Sequence, residues 1–312
     1  METPNPSLIF PLSVIGALCS VQPVWATPLF GSELASFTVL GGSTVTQVPT
    51  SVIAGNVGVW ADGGANAITG FLSAPGVAVA DPQVIGGLVH AGTSTGSPNA
   101  QRAQAQLLSA TTLLGSLGSG TLLAADLVGL TIFPGVYTVP AGTTNLSGTV
   151  TLDGQGNANA VWVFQMTSTL ITSPNSVVKV LNTGSGAGLY WNVGSSATLD
   201  IGTTFLGNIL ALASISLNTG ATDLCGRTLA QTGAVTLIQN SLSGICAGDL
   251  LGSQGLSGGL EVTTTPAGDS VVSLLPFVPL DSSGSIPEPA TLALLGLGFA
   301  GLGWNLRPAK TP

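Results

Sequence analysis

The sequence predicts a mostly β protein: a stacked solenoid of short strands with one long α-helix packed alongside. Its 312 residues include 44 glycines and only 6% charged residues, against the usual quarter. Glycine and β-branched residues are poor helix formers. Short Thr/Ser-rich segments recur at loosely regular spacing in the second half, which is typical of repeat architectures.

Residues 1–26 are predicted to be a secretory signal peptide. An apolar run at residues 8–21 precedes PVWATP, where Val24 and Ala26 suit the small-residue rule before a cleavage point. No Lys or Arg precedes the run, so a buried first segment of the fold stays open as the alternative.

One long helix is predicted at about residues 97–117, after short strands such as FTVLGGSTVTQV and QVIGGLVHAG. Ser97 is the predicted N-cap, with Pro98 in the first turn. Apolar residues recur there at three- and four-residue steps, namely Ala103, Leu107, Ala110, Leu114 and Leu117. Because this helix separates the early strands from the later repeats, the solenoid is predicted to be discontinuous in sequence.

Five later segments, TVTL, TSTL, SATL, SISL and AVTL, begin at residues 149, 167, 196, 214 and 234. On a strand, alternate side chains point to opposite faces. The leucines are therefore predicted to point inward, and the residues before them outward. The predicted outward column is Thr151, Thr169, Thr198, Ser216 and Thr236.

Two cysteines remain after Cys19 leaves with the signal peptide, and they fit an exported protein. A Cys225–Cys246 bridge would close a loop of about 20 residues and stabilise the fold by about 3 kcal/mol. Two unpaired buried thiols are the alternative.

The C-terminal part is predicted to be a linker over 247–285, with a small hairpin possible around residues 266–269, and then a sorting segment over 286–310. Pro287, Glu288 and Pro289 precede an apolar run at 290–304 and two basic residues. This order resembles the PEP-CTERM sorting signal of Gram-negative bacteria. The resemblance implies a transient membrane stage with 290–304 as the transmembrane segment, cutting near the triplet by an exosortase, and delivery to the cell surface or extracellular matrix. A plain membrane anchor is the alternative.

The charges exclude several classes of function. The net charge is −8 with five Lys and Arg, two of them in the tail, so no basic patch for nucleic acid can form. The only histidine, His90, lies in an apolar stretch. Metal sites and catalytic triads are therefore hard to build, and no cofactor, metal or small-molecule substrate is predicted.

Blocks from residues 31 to 246 occur in the order seen in microbial ice-binding (antifreeze) proteins, which the chain resembles. They include ASFTVLGGSTVTQVPTSVIAGNVGV, LDGQGNANAVWVFQM, FLGNILALASISLNTGAT and GRTLAQTGAVTLIQN. The resemblance implies a discontinuous right-handed β-helix of triangular cross-section, with an ice crystal surface as partner.

The resemblance also implies a four-residue ice-contact pattern: Thr, then Ala or Gly, any residue, then Thr or Asn. Residues 219–222 fit it fully, residues 172–175 depart at the second position, and residues 201–204 at the first. The predicted contacts from this pattern are Thr172, Asn175, Thr203, Thr204, Thr219 and Thr222. Whether ice contacts the outward column, these turns or both stays open.

Two other functions fit parts of the sequence. Asp153 and Asp200 follow inward leucines, and two coils apart they would lie about 9–10 Å from each other, near the spacing of an inverting glycosidase. A matrix or adhesion protein, with extracellular polysaccharide as a further partner, is the other alternative. Exposed threonines are also common on strands without any binding role.

Overall fold

A computed structural model describes residues 26–48, 50–60, 67–73, 78–91 and 99–280. The predicted signal peptide before residue 26, the sorting segment with its apolar run, and Ser97 and Pro98 lie outside these residues. Among the described helices, none is long and apolar enough to cross a membrane.

The fold is the predicted β-solenoid, whose coils have three faces. The first face, called the threonine face, is a six-stranded parallel sheet. Its strands, in spatial order, are β14 (Leu170–Ile171), β17 (Ala197–Leu199), β19 (Ile215–Leu217), β21 (Val235–Ile238), β3 (Val45–Val48) and β6 (Ile68–Thr69).

The second face, called the helix face, is also parallel and includes the C-terminal parts of two long strands. It consists of β9 (Thr121–Leu122), β11 (Gly135–Val139), β13 (Val161–Met166), β16 (Gly188–Val193), β18 (Thr204–Ala211), β20 (Thr222–Ala230), β2 (Phe37–Gly41), β5 (Asn56–Val59) and β8 (Val89–His90).

The third face, called the mixed face, takes the first residues of β18 and β20 between other parallel strands. These strands are β10 (Thr131–Ile132), β12 (Thr149–Asn157), β15 (Val177–Thr183), β22 (Ser241–Ser243), β4 (Val52–Ala54) and β7 (Val84–Ile85).

The solenoid is discontinuous, as predicted. On all three faces the last coil of the C-terminal half pairs with the first coil of the N-terminal half: β20 with β2, β21 with β3 and β22 with β4. The chain therefore begins in the middle of the stack, runs to one end, crosses by the helix to the other end and returns.

The interior is filled by inward leucines and by a stack of aromatic rings. Leu199, Leu217 and Leu237 are in register and buried, as the repeat predicted. The rings of Phe164 and Trp191 stack with centroids 4.3 Å apart. Offset stacking of this kind adds about 0.5–1.5 kcal/mol per pair beyond area burial.

The predicted alignment of all five repeats is wrong for the first two. Leu152 lies in β12 on the mixed face, and Leu170 pairs with Ala197 rather than with Leu199. A shift of two residues keeps every side chain on the same side of a strand, so the apolar pattern could not detect it.

The helix α2 (Ala100–Ser116) covers the helix face. Its predicted apolar side is confirmed, because Ala103, Leu107, Ala110 and Leu114 are buried against side chains such as Val163 and Leu229. Its N-cap is Asn99, whose side chain accepts a hydrogen bond from the Arg102 amide. A short helix, α1 (Ser32–Ala35), packs beside it.

The predicted linker is wrong as far as residue 280, because residues 247–280, called the C-terminal strap, fold onto the body. A 3-10 helix (Gly248–Leu250) leads to a hairpin of β23 (Leu260–Thr264) and β24 (Ser270–Leu274), which turns at the predicted residues 266–269. β1 (Thr27–Pro28) pairs with β23. Leu260 and Val272 are buried with the helix, although the Gly/Ser composition favoured a linker.

Cys225 and Cys246 form the predicted disulfide, so the alternative of two free thiols is excluded. The bridge spans 21 residues, about one coil, and lies where the chain leaves the solenoid to begin the C-terminal strap.

Candidate functional site

One column of side chains runs outward along the whole threonine face. The strand register aligns Ile171, Thr198, Ser216, Thr236, Thr46 and Thr69. Thr198, Ser216 and Thr236 were predicted to share a column and do so. Thr46 and Thr69 were missed, although STVTQV at residues 43–48 carries the same alternation as AVTLI at 234–238.

Four hydroxyl groups of this face form hydrogen bonds with a neighbouring strand. The Thr69 hydroxyl lies 3.1 Å from the Thr46 hydroxyl. In the next column, the Ser196 hydroxyl accepts from the Ser214 amide at 3.3 Å and the Ser214 hydroxyl from the Ala234 amide at 3.1 Å. These four hydroxyl groups are therefore fixed relative to the sheet.

The threonine face carries almost no charge. Its six strands contain no charged residue. Asp200 lies directly after β17 and accepts a hydrogen bond from the Asn218 side chain at 2.9 Å. That bond, together with the Ile201 amide, holds the pKa of Asp200 below its ordinary value, so this carboxylate at the edge of the face is ionised at neutral pH.

The four-residue pattern lies at the corner between the threonine face and the mixed face. Thr204 and Thr222 are aligned and begin the mixed-face strands. Thr204 and Thr219 are exposed, and Thr222 is half-buried. Among the residues of the four-residue pattern, Thr204, Thr219 and Thr222 have side chains that can reach a flat surface near the corner.

Two predicted contacts at this corner are wrong, because Thr172 and Thr203 are buried. Their hydroxyls lie 2.9 Å apart, and the Thr172 hydroxyl accepts from the Asp200 amide. Both hydroxyls close the corner rather than face solvent. Asn175 is exposed, but it does not take the place of Thr204 in its coil, because Val177 does. The pattern at 172–175 is thus displaced by two residues.

Two members of the predicted outward column are also misplaced. Thr151 lies on the mixed face between Thr131 and Lys179. Thr169 precedes Leu170, whose partner is Ala197, so it lies opposite Ser196 in the neighbouring column. The outward residue in that coil of the main column is Ile171.

The mixed face is not a uniform surface. It carries Asp153 and Lys179, and the first residues of the strap lie against it beside Cys225. There Leu250 and Asp249 line a groove of about 300 Å³ with apolar neighbours that include Val180, Leu206 and Leu224. This relief makes the mixed face a poor match for a flat partner.

The predicted carboxylate pair does not form. Asp153 stands on the mixed face and Asp200 at the edge of the threonine face, so they do not share a column. Hydrogen bonds from the Gln155 amide and the Asn182 side chain hold the pKa of Asp153 below its ordinary value. A glycosidase acid needs a raised pKa instead. Among the described residues no group of three or more His, Cys, Asp or Glu side chains could hold a metal ion.

A buried charge inside the helix face was not predicted. The Arg227 guanidinium donates to the Ala35 carbonyl at 2.8 Å, to the Asn208 side chain at 3.1 Å and to the Gln254 carbonyl at 2.8 Å. Burial lowers its pKa to about 10. Because its acceptors belong to α1, to the neighbouring coil and to the strap, Arg227 joins three parts of the fold rather than serving a surface site.

Comparisons with known proteins point to one family. A family described as Ice-binding-like matches residues 39–243, and a PEP-CTERM protein-sorting motif matches residues 285–307. The chain is 42% identical over 213 residues to the ice-binding protein of Nostoc sp. (strain HG1), which covers 68% of this chain and 72% of that protein.

Solved structures agree with this. The ice-binding protein of the Antarctic ascomycete Antarctomyces psychrotrophicus has a TM-score of 0.59 and 34% identity, covering 70% of this chain and 98% of that one. An ice-binding protein from an Antarctic biological consortium has a TM-score of 0.58 and 29% identity, covering 76% and 96%.

Proposed function

Because the chain belongs to the ice-binding-like family, we propose that it is an ice-binding protein that adsorbs to ice crystals through its threonine face. The observation that carries this choice of face is the unbroken outward column from Thr198 to Thr69. The mixed face has a column of the same length, but two of its six positions are valines; its members are Thr149, Val177, Thr204, Thr222, Ser241 and Val52. The column beside it carries Lys179.

The spacing of the threonine face suits a crystalline partner. Neighbouring parallel strands lie about 4.8 Å apart, and alternate residues along a strand about 6.6 Å apart. The main Ser/Thr column and the neighbouring column, two residues away along each strand, therefore form a two-dimensional grid. A grid is what can match the repeat of an ice lattice over many contacts at once.

The side chains suit ordered water. Each threonine adds a hydroxyl that bonds water and a methyl group beside which water becomes ordered. Its χ1 rotation is restricted, so little side-chain freedom is lost on adsorption. Charged groups would hold their own hydration shells, and the six strands lack them. Adsorbed molecules would then block growth and recrystallisation of the crystal.

The sorting motif supports a place for this activity. The PEP-CTERM protein-sorting motif, which covers residues 285–307, indicates secretion or sorting to the cell surface. We propose that residues 290–304 hold the chain in the membrane for a time and that an exosortase cuts near Pro287, Glu288 and Pro289. The product would act outside a Gram-negative cell, on the surface or in the medium.

The face assignment is tested by substituting tyrosine for Ser216, in the middle of the column. The bulky ring would hold the flat sheet away from the ice lattice, so most of the thermal hysteresis should be lost. Thr222→Tyr is the comparison variant for the rival contact surface, because Thr222 lies at the corner and is half-buried like Ser216. It should keep the hysteresis if the threonine face alone contacts ice. Circular dichroism checks that both variants fold.

The assignment fails if Thr222→Tyr removes the hysteresis while Ser216→Tyr retains it. Equal losses in both variants would instead extend the contact surface from the threonine face to the corner at residues 219–222.

A further inference from the structure

We propose that, in the product that stays attached to the cell surface by its C-terminal end, the strap points the threonine face away from the cell envelope, so that the protein attaches the cell to ice. This rests on the proposed function of the threonine face. The added claim is about orientation: which side of the body is next to the envelope and which side is free.

The three-sided coil has one edge opposite the threonine face. It is the edge where the mixed face turns into the helix face, called here the opposite edge. It is formed by the turns between β12 and β13 and between β15 and β16, and by the bend in β20 beside Cys225.

The strap begins at this edge and follows it. The disulfide fixes Cys246 to Cys225 there. Further along, Ser257 forms a bridge with Gly188 at the start of β16, and the Gly258 carbonyl accepts a hydrogen bond from the Tyr190 hydroxyl at 2.8 Å. The strap is thus bonded along the edge before its hairpin reaches the helix.

The end of the strap returns to the same edge. The Val278 amide donates to the Asn157 side chain at 3.0 Å, and its carbonyl accepts from the Ala158 amide at 2.6 Å. The Leu280 amide donates to the Gly156 carbonyl at 2.7 Å. The last described residue is therefore held at the C-terminal end of β12, on the side away from the threonine face.

The strap is anchored by burial as well as by hydrogen bonds. Leu256 has no exposed area, and Leu260 and Val272 are buried under the helix. Full burial of a leucine side chain contributes about 1.5–3 kcal/mol. The strap therefore moves with the body and passes on its orientation.

The distance to the sorting triplet is short. Seven residues from Leu280 to Pro287 reach at most about 25 Å when fully extended. One coil between β18 and β20 takes 18 residues, since Thr204 pairs with Thr222, so one side of about six residues measures roughly 20 Å. If the threonine face were next to the envelope, these seven residues would have to run along one side of the coil, which uses nearly all of their length. If the opposite edge is next to the envelope, they need no such detour.

The test uses single cysteines in the full chain, displayed on Gram-negative cells that carry an exosortase. Ser216→Cys places a thiol on the threonine face, and Ser185→Cys places one at the opposite edge, where Ser185 is exposed. Both changes are close in size, and the native disulfide stays. Each variant is labelled with a bulky polyethylene-glycol maleimide on intact cells and again after detergent solubilisation.

We expect the Ser216→Cys rate to be the same on cells as in detergent and the Ser185→Cys rate to be several-fold slower on cells. The orientation is overturned if Ser216→Cys is labelled more slowly on cells than in detergent. It is also overturned if the ratio of the two rates is the same for both variants. This readout involves no ice, so it stands or falls apart from the proposed function.

Attachment itself is measured as adhesion of the cells to an ice surface. We expect cells with the wild-type chain to adhere and cells with Ser216→Tyr to lose adhesion. If the solubilised wild-type chain enters growing ice while displayed cells fail to adhere, attachment is overturned although ice binding stands.

Discussion

At the scale of single residues, the interior of β20 holds an acid and a base four positions apart. The side chains of Asp223 and Arg227 are both almost fully buried. Burial raises the pKa of Asp223 well above its ordinary value of 3.8, against the smaller opposing effects of nearby amides and Arg227. A neutral carboxyl inside the coil costs less than an ionised one.

This burial predicts a pH dependence of stability. The folded state holds the Asp223 proton to higher pH than the unfolded state does, so the free energy of unfolding falls as the pH rises from about 4 towards the folded pKa. Arg227, with its pKa near 10, stays charged in this range. We expect the melting temperature of Asp223→Asn to vary less between pH 4 and pH 8 than that of the wild-type protein.

The matched control is Asp269→Asn in the exposed hairpin turn, which should keep the wild-type slope. An unchanged slope in Asp223→Asn would contradict a buried neutral acid. The lowered pKa values of Asp81, Asp126, Asp153 and Asp200 act in the opposite direction, but only below about pH 4.

Residue predictions from the sequence succeeded where strand alternation decides the outcome. Thr198, Ser216 and Thr236 share one column because each lies between two inward residues of a regular strand. Thr172 and Thr203 failed because they lie at a corner, where alternation ends and a hydroxyl can turn inward to bond its neighbour. Thr46 was missed because strand pairing across 189 residues of sequence has no local signal.

At the scale of elements, we predict that only the buried side of helix α2 contributes to the free energy of unfolding. Leu107 is fully buried against the helix face, whereas Leu108 beside it is 52% exposed. Leu107→Ala should reduce the free energy of unfolding by about 2–5 kcal/mol, because it leaves a cavity. Leu108→Ala should change it by about 0.5 kcal/mol or less. Urea unfolding of the two variants compares them, and equal losses would contradict the packing described.

The disulfide gives a second prediction at this scale. Replacing Cys225 and Cys246 together by alanine should cost about 3 kcal/mol, because the unfolded chain gains the freedom of a 21-residue loop. For a body of this size that corresponds to a melting temperature lower by roughly 6–12 °C. Thermal hysteresis near 0 °C should persist, since the bridge lies away from the threonine face. Its complete loss in a folded variant would contradict that separation.

Element types were largely predictable, but their partners were not. The helix has a strong period and a clear apolar side: four of its five predicted apolar residues are buried, and Leu117, just after its end, is partly buried. The strap lacked such a pattern: its strands LEVTT and SVVSL are short and lie between glycines and serines. What folds it is contact with β1, the helix and Arg227, all distant in sequence.

At the scale of the whole molecule, the solenoid brings distant threonines to one flat surface. Two halves of the chain meet in the middle of the threonine face, where β21 pairs with β3. The column continues across this junction without a change of register. Ice adsorption therefore depends on both halves being stacked, and the helix, strap and disulfide maintain this stack from the other sides.

The most direct test is whether the folded protein enters a growing ice hemisphere. The wild-type protein should be incorporated and should shape crystals into facets, and Thr222→Tyr should behave in the same way. Ser216→Tyr, folded by circular dichroism, should be excluded. Exclusion of the folded wild-type protein, with no effect on crystal growth, would contradict ice binding and leave a matrix or adhesion module in its place.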